Sequence, residues 1–296
     1  MGRDHLVEAA TVYEVKGDVN YTIGNIDFEG DVIVRGDVLS GFIIHATGDI
    51  EVKGVVEDAE ISAGRNVIVR GGFIGSGKGH ITAEGDILLR YIHHQQATAG
   101  SDLIISNEAT DAHLTARKGI KLLGSPGVLV GGVASADNFI ECRFLGNDQG
   151  TTTDAVVAFD DELALALAKI EEQIDLAENQ IRKINDTLDR MEEMDAFIHR
   201  ISEERRAIYS RLVDAKLTRQ DDLDRFHSEK RILEEKHRAR LSELFILAHK
   251  GVYLGVNINI AGIHYQIQEH LGRSHFKIMH GEVILTDQKG ESRQNN

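Results

Sequence analysis

The first half of the chain repeats itself about every 18 residues, and that period constrains its fold more than any other feature. An alanine recurs with an apolar residue two positions before it and others four and six positions after it. Ala46 has Ile44, Ile50 and Val52; Ala63 has Ile61, Val67 and Val69; Ala83 has Ile81, Ile87 and Leu89. Ala99 has Ala97, Leu103 and Ile105; Ala116 has Leu114, Ile120 and Leu122; Ala136 has Ala134, Ile140 and Cys142. Phe28 takes the alanine slot in one more copy, with Ile26, Val32 and Val34. A fixed period of this length marks a solenoid, in which each repeat stacks on its neighbours and none folds alone.

The apolar positions alternate with period two and are broken by a corner, usually Gly-Asp or a relative: Gly30-Asp31, Gly48-Asp49, Arg65-Asn66, Gly85-Asp86, Ser101-Asp102, Lys118-Gly119. Gly and Asn tolerate positive φ, and an Asp side chain caps backbone N–H groups at a bend. Short strands joined by tight corners predict a single-stranded parallel β-helix over residues 12–154. Its inner column would be Phe28, Ala46, Ala63, Ala83, Ala99, Ala116 and Ala136. About seven turns at ~4.8 Å spacing give a body on the order of 35 Å long. Coil length permits either hand, and a right-handed coil is the expectation.

After Thr151-Thr152-Thr153-Asp154 the period changes. Leu163, Leu167, Ile170, Ile174, Ala177, Ile181, Ile184, Leu188 and Met191 alternate spacings of four and three, a heptad seam with charged residues between. Ile198, Ile201, Ile208 and Leu212 continue it less cleanly. Leu223, Phe226, Leu233, Leu241 and Leu244 mark a second arm. Residues 155–250 therefore read as a long antiparallel coiled-coil helical hairpin. Its tip falls near 193–202 or near 214–219, and Thr218 before Asp221 and Asp222 favours the second. From Val252 the period returns to two, so residues 251–285 are expected to rejoin and cap the β-helix, because open solenoid ends template further pairing. Thr286–Asn296 is polar and expected to be disordered.

Composition narrows the function classes. The formal charge is −15, with 12 basic and 22 acidic side chains in residues 1–154 and 17 and 22 in residues 155–250. Such a surface repels phosphate backbones, so nucleic acid is not an expected partner. There is no run of 18 apolar residues to span a bilayer and no apolar signal core at the start. Leu6 stands where a myristoylation signal needs Ser or Thr. The lone Cys142 has no internal partner, which fits a reducing cytoplasm.

The motifs that could carry chemistry read as structure. Gly72-Phe73-Ile74-Gly75-Ser76-Gly77-Lys78-Gly79 has the spacing of a phosphate-binding loop, but Gly79 replaces the Mg²⁺-binding hydroxyl and a repeat strand follows instead of a helix. His93 and His94 are adjacent on a strand and point to opposite faces, and His270, His275 and His280 also alternate. Asp31, Asp49, Asp86 and Asp102 read as corner caps, not as a Ca²⁺ array, and Cys142 sits at an inward slot. No catalytic residue, cofactor or metal site is expected.

Several segments resemble the flagellar assembly protein A family: VYEVKGDVNYTIGNIDFEGDVIVRGDV, GDIEVKGVVEDAEISAG, GGFIGSGKGHITAEGDI, RYIHHQQATAG and VLVGGVASADNFIECRFLG. The TTTD segment, the helical hairpin and the GVYLGVNINI strand follow in that family's order, and the resemblance covers about residues 11–285. It implies a β-helix body with a coiled-coil insertion, no known enzymatic activity and a link to flagellar assembly. Family members usually carry an additional N-terminal domain, whereas this sequence begins almost at the repeat. The expectation is a non-enzymatic cytoplasmic scaffold with protein partners, among them flagellar or polar assembly factors, that forms homo-oligomers. A polymer stacked through its β-helix ends, as in bactofilins, is the alternative, and a β-helix handling carbohydrates or acyl donors is a third reading.

Overall fold

The computed structural model describes residues 11–158, 162–197, 202–287 and 292–293. The chain divides into two compact units, one of Met1–Phe159 with Ser242–Asn296 and one of Asp160–Leu241.

The first unit is a β-solenoid built from three parallel ladders. On one ladder the register pairs Phe28 with Ala46, then Ala46 with Ala63, Ala63 with Ala83, Ala83 with Ala99, Ala99 with Ala116 and Ala116 with Ala136. The column continues through Val157 to Ile260. A second ladder stacks Val32, Ile50, Val67, Ile87, Leu103, Ile120, Ile140 and Ile246. A third carries Val19, Val38, Val56 and Phe73 through single bridges, then Ile92, Ala109, Leu129, Leu145 and Val252. The six alanines and nearly all these aliphatics are under 4% exposed, so the core is three columns of like on like. The alanine run is continuous from Ala46 to Ala136, with Phe28 before it and Val157 and Ile260 after it in the same register.

The solenoid takes more chain than the sequence pattern claimed. Thr153–Val157 and Phe245–Val252 are strands, although they were expected at the margins of the helical segment 155–250. Val157 and Ile246 fill inward slots in the two columns, and that burial outweighs their proximity to the heptad pattern. Beyond Val256–Ile260 the direction reverses. Ile263–Gln266 pairs antiparallel with that strand, and Ser274–Met279 pairs antiparallel with Phe245–Val252 and with Glu282–Asp287. Part of the expected disordered tail is also strand: Thr286 pairs with Ser292 and Leu285 with Arg293, because main-chain pairing does not need apolar side chains. Asp287 pairs with Ser274, and residues 288–291 and 294–296 lie outside the described residues.

The second unit contains helix α1, Glu162–Phe197, and helix α2, Glu203–Glu243. Every seam residue from Leu163 to Met191, including Leu167, Ile170, Ile174, Ile181, Ile184 and Leu188, is buried or half-buried, while most positions between them are exposed. The helices run antiparallel. Glu192 accepts a hydrogen bond from the Tyr209 hydroxyl (2.8 Å), Glu171 pairs with Lys230 (2.7 Å), and Ile174 and Ala177 pack with Leu223. Residues 214–219 lie inside α2, so the tip is not there. Thr218 donates its hydroxyl to the Asp214 carbonyl (2.9 Å) within the continuing helix instead of capping a new one. The interval between the helices is 198–202, of which 198–201 lie outside the described residues, as do Ile198 and Ile201 of the expected seam.

Candidate functional site

The solenoid corners show what the Asp and Asn residues do. The Asp31 carboxylate accepts the N–H of Asp49 (2.9 Å), Asp49 that of Asn66 (2.9 Å), Asn66 Oδ1 that of Asp86 (2.8 Å), and Asp86 that of Asp102 (2.9 Å). Each caps the next coil rather than its own bend. A second corner repeats the device, with Asp18 accepting from Asp37 (2.8 Å) and Asp37 from Val55 (2.7 Å). Stacked carboxylates repel, and cations offset this. Arg65 bridges Asp31 (2.6 Å) and Asp49 (3.0 Å), and Lys121 and Lys118 lie 3.2 and 3.6 Å from Asp102. The ladder stops at Asp102, where Gly119 replaces the next Asp and a β-carbon there would collide with the Phe139 ring.

The phosphate-loop-like segment is wrapped around an anion of its own. Asp58 accepts the N–H of Ser76 (2.9 Å), the N–H of Lys78 (3.2 Å), the Ser76 hydroxyl (2.8 Å) and Gln95 Nε2 (2.5 Å). Desolvation is the largest single influence on this carboxyl and works to raise its pKa. The hydrogen bonds from Gln95, Ser76 and Lys78 together outweigh it and hold the pKa down to about 2. Gln95, 1% exposed, also accepts the Gly79 N–H (2.8 Å). A β-carbon at Gly75 would overlap Asp58 and Gln95, and Gly77 has φ +89°. The glycines thus fit the loop around Asp58, which leaves two of its amides unavailable to a phosphate.

The histidines are dispersed. His93 lies 3.0 Å from Glu108, His94 is 3.8 Å from Asp111, His249 is 2.7 Å from Glu141, and His270 is 3.1 Å from the Val252 carbonyl. Among the described residues no group of three or more His, Cys, Asp or Glu side chains is placed to hold a metal ion. Cys142 is fully buried, and burial, with a smaller push from Glu141, raises its thiol to about 12, where it is not a nucleophile at neutral pH.

Residues 11–283 match the model of the FapA family, described as the Flagellar Assembly Protein A beta solenoid domain. The chain belongs to this family. No curated protein and no solved structure gives a match. Among the described residues no helix is long and apolar enough to cross a membrane.

For a FapA chain of this architecture, the surface that stands apart is on the helical hairpin. A groove of about 480 Å³ opens between the helices, lined by Gln180, Lys183, Ile184, Ala215, Thr218 and Arg219. It opens because the seam is apolar on α1 but mixed on α2, where Lys216 and Arg219 stand between Leu212 and Leu223 at facing positions. Sequence reading found Ile184 but not the groove, since only the antiparallel register shows what it faces. Asp58 and Gln95 were missed for the same reason: they are 37 residues apart and meet only through the coil spacing.

Proposed function

We propose that the protein is a non-enzymatic scaffold or assembly factor in flagellar assembly, working in the cytoplasm through protein contacts of its solenoid and its helical hairpin. Membership of the flagellar assembly protein A solenoid family carries this reading. Its physical support is the division of labour along the chain. The solenoid is held by uniform aliphatic columns and self-capping corners, which make a stiff body. The hairpin adds two long helices, and its described residues contribute only Ile170, Ile174, Ala177, Leu188 and Leu223 to the buried core. A pair of helices that buries so little of itself has surface to spare for a partner. The glycine-rich loop is occupied by Asp58 and the only cysteine is inert, which supports the non-enzymatic part.

The test replaces Asp160–Leu241 with a short Gly/Ser linker in cells that carry the intact chain's gene and counts flagella. Crosslinked pull-downs are compared in parallel. Loss of flagella with loss of a crosslinked protein partner is expected. Normal flagellation and an unchanged set of crosslinked proteins would remove the docking-arm role.

A further inference from the structure

Among the described residues of the hairpin five large apolar side chains are exposed, Leu165, Leu176, Ile208, Leu217 and Ile232, and three of the five share one flank. With Ile174 and Ala177 of α1 and Leu223 and Phe226 of α2 at the core positions of a heptad, an antiparallel pair has two flanks. Leu176 of α1 and Ile208 and Ile232 of α2 all fall on the flank that carries the groove. They are 59%, 50% and 50% exposed. By the pairing of Glu192 with Tyr209 and Glu171 with Lys230, Ile208, the groove, Leu176 and Ile232 follow one another at about two-turn steps. That is a broken apolar stripe roughly 36 Å long at 1.5 Å per residue.

The two flanks also differ in charge. Lys183, Arg211 and Arg225 line the groove flank. Its acids are Asp222, already held by Arg219 (2.9 Å) and Arg225 (3.0 Å), and Glu204 and Glu229, while Lys169, Arg190 and Lys236 add to its cations, which are in excess. The opposite flank carries Glu171, Asp175, Glu178, Asp189 and Glu192 of α1 with Asp224 and Glu234 of α2, against Arg182, Arg206, Arg231 and Arg238, so its acids are in excess. On a chain of net charge −15, a basic flank with apolar steps selects its partner by sign.

We propose that this flank is a docking face for one amphipathic helix of a partner protein, a helix with an apolar stripe bordered by carboxylates. Its apolar side chains cover Leu176, Ile232 and Ile208 and drop into the groove over Ile184 and Ala215. Its carboxylates meet Lys183, Arg211 and Arg225. The helix completes a three-helix bundle and supplies the apolar layer that α2 lacks opposite Ile184. Two copies of the same flank would set these cations against each other, which disfavours a second copy as the occupant.

This rests on the reading of the hairpin as a docking arm, and the experiment separates the two. Three labelled synthetic helices are titrated with the full chain by fluorescence anisotropy: leucine stripe with glutamate flanks, leucine stripe with lysine flanks, and serine stripe with glutamate flanks. The first is expected to bind at least about tenfold tighter than either control and to weaken as salt is raised. Lys183→Glu with Arg225→Glu, and separately Leu176→Ser, each lower that affinity about tenfold or more. These side chains are exposed, and unchanged helicity by circular dichroism verifies the fold. Equal binding of the lysine-flanked helix, or indifference to the substitutions, overturns the proposal. So does a sedimenting dimer that Leu176→Ser dissolves, because the flank then belongs to a second copy. Loss of partner crosslinking on deleting the hairpin, together with no preference among the three helices, would leave the docking arm standing and this face refuted.

Discussion

Replacing Asp58 tests whether the glycine-rich loop is organised by an internal carboxylate. In Asp58→Ala the N–H groups of Ser76 and Lys78 lose their acceptor, but both sit in an exposed loop and water can replace it at little cost. Gln95 cannot be rescued that way. It is 1% exposed, and its Nε2 is bound to Asp58 at 2.5 Å while its Oε1 stays engaged with Gly79. A buried amide stripped of its partner costs about 1–3 kcal/mol, and loss of a charged acceptor belongs to the upper part of that range. Destabilisation of about 2–3 kcal/mol follows, measured as a shift in urea midpoint at neutral pH, with faster amide exchange at Ser76 and Lys78. A double-mutant cycle with Gln95→Met should recover about 1 kcal/mol or more as coupling. The carboxyl's pKa is lowered to about 2, so its ionic contribution is complete above the unfolded value of about 3.9 and is lost as pH falls from there toward 2. Solvent screening at this half-exposed site holds that share below about 1 kcal/mol. A shift under about 0.5 kcal/mol, or tight nucleotide binding by the unaltered chain, would refute the reasoning.

Two other perturbations follow from the core. Ala99 sits between Ala83 and Ala116 and is 1% exposed, so Ala99→Leu overpacks the column and costs about 1–3 kcal/mol in denaturant unfolding; no loss of stability would show that the column is slack. His275 is pushed down to about 4 by burial first and by Lys277 and Arg273 next, and its Nε2 is buried without a hydrogen-bond partner. The fold therefore holds it neutral: stability is full above the unfolded value of about 6.5 and declines as pH falls from there toward 4. His275→Leu should flatten that part of the stability–pH curve, and an unchanged slope would count against it.

The solenoid was legible because its information is local and repeated. One alanine slot with partners at −2, +4 and +6 predicts the same columns in every turn, and Phe28 and Ala46 to Ala136 lie in one register. The capping strands were legible only as period two, because Phe276 or Ile278 alternates alike in parallel and antiparallel pairs. The hairpin tip was misplaced because Asp221 and Asp222 after Thr218 look like a helix start. Here Asp222 instead binds Arg219 and Arg225 on consecutive turns of one helix. The groove flank was invisible for a different reason. Leu176, Ile208 and Ile232 belong to no single period, and they align only when two helices are set antiparallel at a fixed register.

The position of the hairpin in the chain explains how a solenoid can carry it. In earlier turns the column residue and the next inward residue are separated by a short corner, as from Ala46 to Ile50 or from Ala136 to Ile140. Val157 occupies the column slot and Ile246 stacks on Ile140, so along the chain the helical segment is inserted between two positions that other turns join by a corner. The register is unbroken across the insertion: Phe245 pairs with Phe139, and the rings stack at 5.2 Å. Closing a longer loop costs only about 0.6 kcal/mol for each doubling of its length, so exchanging the hairpin for a short linker alters the solenoid's stability little. Removal of Asp160–Leu241 should leave the β-signature in circular dichroism and slow amide exchange at Ile140 and Ile246. If exchange there becomes fast, the hairpin is structural. If it stays slow, the solenoid does not need the helices, and any loss of flagellation on their removal is a loss of binding.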